Sequence, residues 1–225
     1  VVKATLEYHV QGEDKSEDKP DFLNNIIAFC GERGQGKSSA MVTFMNELCK
    51  VQPVKSSLDF ADETKSVEFY SMSIVEPSTF ESYQDVLDII VSRMYKKFEQ
   101  MYEKGQAKID KYQVKDVIGA FQEAYRSIGI LRNPKKVQED CEFEGDIEKL
   151  SQLGDSSMLR NSMMKLVKNY LRFVSGVNEP YNKFLVIPID DLDVSIGCAY
   201  SIAERIRKYL MIPNVIIVMA LKPEQ

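Results

Sequence analysis

Apolar residues along this chain follow two rhythms, short continuous runs and longer stretches with helical spacing. Ile26-Ile27-Ala28-Phe29-Cys30, Phe184-Leu185-Val186-Ile187-Pro188-Ile189 and Val215-Ile216-Ile217-Val218-Met219-Ala220-Leu221 contain no polar residue. Runs of this length suit strands of a parallel sheet covered on both faces. A further strand is predicted over residues 67–74, where Val67, Phe69, Tyr70 and Ile74 supply β-branched and aromatic side chains. Residues 1–10 alternate well, with Val2, Ala4, Leu6 and Tyr8 on one face, and read as a half-buried edge strand with His9 on its polar face, followed by a charged connection over 11–21. Pro188 removes a ladder donor inside its run, so a bulge or an unpaired position is predicted beside it.

Between these runs the apolar spacing changes to three and four. It predicts helices over about 38–50, 80–104, 107–131, 156–175 and 201–210. Gly119 is expected to interrupt the third of these, which then ends near Gly129, and Ser156 or Ser157 is expected to cap the fourth. Gly105 and Gly176 are natural stops. Strands separated by helices indicate an α/β domain with a parallel core sheet, into which about 80–180 is set as a large helical insertion.

Composition narrows the setting. The chain has 225 residues, 44% apolar and 28% charged, as in ordinary globular proteins, and no apolar run long enough to span a membrane. Its formal charge of −5 gives no general support for a nucleic-acid surface, although Arg160, Lys165, Lys168 and Arg172 make one helix locally basic. The four cysteines are widely separated and there is one histidine, so reduced thiols in a cytoplasmic setting are expected rather than a zinc site, with Cys30 as a small buried residue. The acidic stretch over 139–148 does not have calcium-loop spacing and reads as a solvated charge run.

Candidate chemistry begins at Gly31-Glu32-Arg33-Gly34-Gln35-Gly36-Lys37-Ser38, a full match to the phosphate-cradling pattern G-x-x-x-x-G-K-[ST], with a strand before it and a helix after it. Glycines let the backbone approach phosphates and turn N–H groups toward them at the positive end of the helix. Gly31, Glu32, Arg33, Gly34, Gln35, Gly36, Lys37, Ser38 and Ser39 are therefore the expected nucleotide contacts. Lys37 would sit on the β- and γ-phosphates, and Ser38 would bind Mg²⁺. The second signal is Asp190-Asp191-Leu192-Asp193 at the end of an apolar strand. Asp190 would hold the metal or its bound water, and Asp191 would orient and deprotonate the attacking water. Glu76, Lys222, Arg205 and Arg207 are weaker candidates, the arginines reading more readily as surface salt bridges.

The phosphate loop through Ser39, the Ile189-Asp190-Asp191-Leu192-Asp193 segment, and Ile212-Pro213-Asn214 leading into the last strand together resemble the additional-strand class of P-loop ATPases, and within it the KAP family. Arg33, Val194 and Lys222 depart from the family's usual residues. The resemblance implies a three-layer P-loop NTPase sandwich with strand order 5-1-4-3-2, of which four strands are placed here. The fifth strand and a lid bearing a second phosphate sensor are expected beyond residue 225, which makes this an incomplete ATPase domain. It also implies ATP and Mg²⁺ as cofactors, a conformational or assembly switch, self-association or a protein effector as partner, and in bacteria a link to antiviral defence. The alternatives are a nucleotide-responsive scaffold or nucleic-acid-associated module without efficient turnover, and a small-molecule kinase.

Overall fold

The computed structural model describes residues 25–50, 67–80, 85–105, 110–132, 145–177, 182–192 and 196–222. The strand expected at 1–10, Asp193 and most of the acidic stretch lie outside the described residues. In chain order the elements are β1 (Ile26–Cys30), α1 (Lys37–Lys50), β2 (Glu68–Ser71), a 3₁₀ turn (Pro77–Thr79), α2 (Val86–Glu103), α3 (Lys111–Arg132), α4 (Gly145–Ser175), β3 (Lys183–Ile189), α5 (Ile196–Tyr209) and β4 (Val215–Leu221). The four strands form one parallel sheet in the order β1-β4-β3-β2. The protein is thus α/β, with the two uninterrupted apolar strands in the centre.

Side-chain alternation assigns the two faces of the sheet. Phe184 and Val186 of β3 and Ile216, Val218 and Ala220 of β4 pack with Met41 and Met45 of α1. The intervening Leu185, Ile187 and Ile189, with Val215, Ile217 and Met219, pack in the larger core formed with α2, α3, α4 and α5. Both faces are covered, which is why these strands carry no polar residue beyond Lys183 at the start of β3. Cys30, in contrast, is exposed on β1, an edge strand among the described residues, and is not the buried residue its apolar neighbours suggest.

The helices α2, α3 and α4 meet at an aromatic cluster. Phe98 lies 4.7 Å from Phe173 and 5.7 Å from Phe121 between ring centroids, and Phe121 meets Tyr170 edge-on. The contacts Phe121–Tyr170, Glu123–Lys165 and Ser127–Ser162 descend along α4 as they ascend α3, so the two helices run antiparallel. Gly119 and Gly129 do not end α3, because both face open space and their cost of about 1 kcal/mol each is set against a buried stripe of Val117, Phe121, Ala124 and Ile128. Similarly, α4 begins at Gly145, well before Ser156 and Ser157, which are interior rather than capping. The helix α2 starts later than its apolar pattern indicates: Asp85 caps it by accepting from Leu87 N–H at 2.9 Å. The helix α5 starts earlier than its pattern, at Ile196.

The strand β2 ends at Ser71, short of the predicted 74, and its neighbour supplies the reason. Ser71 is partnered with Val186, whereas the chain rejoins β3 through Val75 and Ile189, so one extra residue is accommodated on the β2 side. Pro188, which has no N–H to donate, lies within this slip. The carbonyls freed there are satisfied by side chains: Met72 O accepts from Ser71 Oγ at 3.0 Å, Ser73 O accepts from Arg93 at 3.1 Å, and Ile74 O also accepts from Arg93.

A second local device carries no sequence signal. Asn25 is fully buried just before β1, and its Nδ2 donates to the carbonyls of Leu210 and Val215 at 3.1 and 2.9 Å, with a longer contact to Ile212. It ties the entry of β1 to the α5–β4 connection. Asn25→Ala would strip these buried carbonyls of their donor and is expected to cost about 2–3 kcal/mol of stability, seen as a lower urea midpoint with an unchanged slope.

Candidate functional site

The carboxyl ends of β1 and β3 are separated by β4 and open at the same end of the parallel sheet. The phosphate-loop sequence leaves β1 there and enters α1 at Lys37, with Ala40 N–H donating the first helical bond to Gly36 O at 2.8 Å. The N–H groups of the helix's first turn have no intrahelical acceptors. Gly34 and Gly36 hold φ of 83° and 79°, a region costly for any residue with a Cβ.

The loop is pinned by its own residues. Gln35 Oε1 accepts from Glu32 N–H at 2.8 Å while Gln35 N–H donates to Glu32 O at 3.3 Å. Lys37 Nζ also donates to Glu32 O, at 3.2 Å, which folds the ammonium back over the loop. The Glu32 carboxylate pairs with Lys222 at 3.3 Å, and Gly31 N–H donates to Leu221 O, so the loop is fastened to the end of β4. The Glu32 N–H is engaged by Gln35 Oε1 and so is not among the free inward donors that the glycine spacing suggests. Arg33 and Ser39 are exposed at the loop's rim.

From the other strand comes Asp190, half-buried at the end of β3. Its N–H donates to Val75 O at 2.9 Å, which anchors the backbone to the far end of the β2 slip. Its Oδ1 accepts twice, from Ser38 Oγ at 3.1 Å and from Asp191 N–H at 2.9 Å. Residues 152 positions apart thereby meet through side chains. Asp191 is exposed and has a φ of 53°, a left-handed conformation that Asp adopts more readily than most residues. The second Asp190 oxygen has no hydrogen bond from a described residue.

The donor set suits a hard cation. Ser38 Oγ and the Asp190 carboxylate are adjacent oxygens, and Mg²⁺ is usually held by one or two protein oxygens with water and phosphates completing its shell. Among the described residues no group of three or more His, Cys, Asp or Glu side chains forms an all-protein metal cage.

The weaker candidates separate from this centre. Glu76 is exposed next to Val75, and its carbonyl, not its carboxylate, accepts from Thr79. Arg205 pairs with Asp85 at 3.1 Å, locking α5 to the cap of α2. Two of the basic residues on α4 are also used internally: Arg160 donates to Met211 O at 2.9 Å, and Lys165 pairs with Glu123 at 2.6 Å. Two positioning residues carry no sequence motif, Val75 and Arg93, because their roles follow from the slip opposite Pro188. In comparisons with known proteins, no family model and no curated sequence matches this chain. Among the described residues no helix is long and apolar enough to cross a membrane.

Proposed function

We propose that this chain binds ATP with Mg²⁺ and hydrolyses it. The observation that carries this reading is the hydrogen bond from Ser38 to Asp190, which joins the phosphate-loop hydroxyl to the first strand-end carboxylate as a shared metal site requires. The strand order β1-β4-β3-β2 supports it further, since it agrees with the 1-4-3-2 portion of the order implied by the P-loop resemblance.

In this reading the loop N–H groups and Lys37 bind the phosphates, while Ser38 and Asp190 hold the ion. Bound Mg²⁺ would offset charge on the phosphoryl oxygens. Asp191 orients a water and takes its proton as that water attacks the γ-phosphorus; the bond from phosphorus to the bridging oxygen breaks, leaving ADP and phosphate. Glu32 links the loop to Lys222, so altered phosphate contacts have a route to the end of β4. A conformational or assembly switch, with antiviral defence as one setting, rests on the family resemblance.

The test is equilibrium binding of ATP and GTP, with Mg²⁺ and with excess chelator, beside phosphate release. ATP is expected to bind more tightly with Mg²⁺ and to be turned over. Binding without turnover would favour a nucleotide-responsive scaffold, phosphate transfer to an added acceptor would favour a kinase, and failure to bind either nucleotide would end the reading.

A further inference from the structure

A second polar cleft lies beside β2, at the opposite edge of the described sheet from the phosphate loop. It has a volume of about 360 Å³ and is walled by Ser71 and Ser73 on one side and by Arg93, Lys96 and Lys97 of α2 on the other. The three cations recur at helical spacing and therefore share one face. Among the described residues no carboxylate lines the cleft, and none of the three cations has an ion-pair partner. Like charges brought together on one helix face repel, so the arrangement is stabilised by an anion between them.

The floor is also a donor. Tyr170 lines the cleft with its ring packed edge-on against Phe121, and its hydroxyl makes no hydrogen bond to a described residue. Burial pushes that hydroxyl up to about 12, so it keeps its proton at neutral pH. Gln100 adds an amide at the rim. Arg93 already donates to Ser73 O and Ile74 O, which fixes its guanidinium in place.

We propose that this cleft binds a small phosphorylated ligand carrying at least two negative charges. Its volume is at the lower end of small-molecule sites, about 300–1,000 Å³. A nucleic-acid strand would call for a longer groove with exposed rings for stacking, and the Tyr170 ring is buried. The site is separate from the phosphate loop and stands whether or not that loop binds nucleotide.

The probe is inorganic pyrophosphate, titrated by calorimetry into the full chain carrying Lys37→Ala, so that binding at the loop is weakened while the cleft is left intact. One site per chain is expected to remain. Lys96→Ala added to this background should weaken it about tenfold or more, because each lysine supplies a charge-assisted hydrogen bond. Adding Lys97→Ala as well should abolish it, while Lys96→Arg with Lys97→Arg retains it. Both lysines are exposed, so the fold persists in each variant, checked by circular dichroism. No binding to Lys37→Ala, or binding unchanged by the lysine substitutions, would overturn the proposal. So would capture of a short oligonucleotide through these lysines without any affinity for pyrophosphate.

Discussion

Asp191→Asn is expected to leave ATP affinity within about threefold of the original chain and to lower hydrolysis about 100-fold or more, the usual scale for a lost general base. The two effects part because Asp191 is not placed against the phosphate loop. Its N–H holds Asp190 Oδ1, a backbone contact that the substitution keeps, and its side chain is exposed at the strand end. Asparagine also tolerates the φ of 53° at this position, so the geometry of the turn is preserved while the basic oxygen is lost. Single-turnover phosphate release with protein in excess over nucleotide is the measurement. Equal turnover in both chains would remove Asp191 from the mechanism and leave Asp190 and the loop untouched.

The second large effect is at Lys37. Lys37→Ala should weaken nucleotide binding about 100-fold, the loss of roughly two charge-assisted hydrogen bonds to phosphate. Stability should change little, because among the described residues the ammonium makes one hydrogen bond, to Glu32 O, at the exposed loop. That contrast makes the result interpretable: a fall in affinity with an unchanged unfolding midpoint belongs to the phosphate contact. Unchanged affinity would mean that nucleotide, if bound, is not held by this loop.

Much of the α/β plan was legible because the central strands are buried on both faces and admit no polar residue. The same logic misled at Cys30, where an apolar strand lies at an edge of the described sheet and leaves its thiol exposed. Helix boundaries were harder. Gly119 and Gly129 look like breaks in one dimension, yet they occupy the open side of a helix held by its other face. Gly31 to Ser38 and the two strand-end acids stand out as spaced motifs, since the chemistry proposed for them needs those residue types locally. The meeting of Ser38 with Asp190, the pinning of the loop by Gln35 and the support of Asp190 by Val75 depend on contacts that spacing does not encode.

Position 188 governs the neighbouring strand more firmly than that strand's own residues do. Met72, Ser73 and Ile74 are compatible with continued pairing, but the proline opposite them cannot complete it. A residue bearing an N–H there would offer a donor to Met72 O, which now accepts from the Ser71 hydroxyl, and would let the ladder run a step further. Ser71 and Ser73 wall the cleft and Val75 O tethers Asp190, so a changed register after Ser71 would reach both. A single missing hydrogen thus acts as a spacer between two edges of the molecule, so drift at this position would be felt at both.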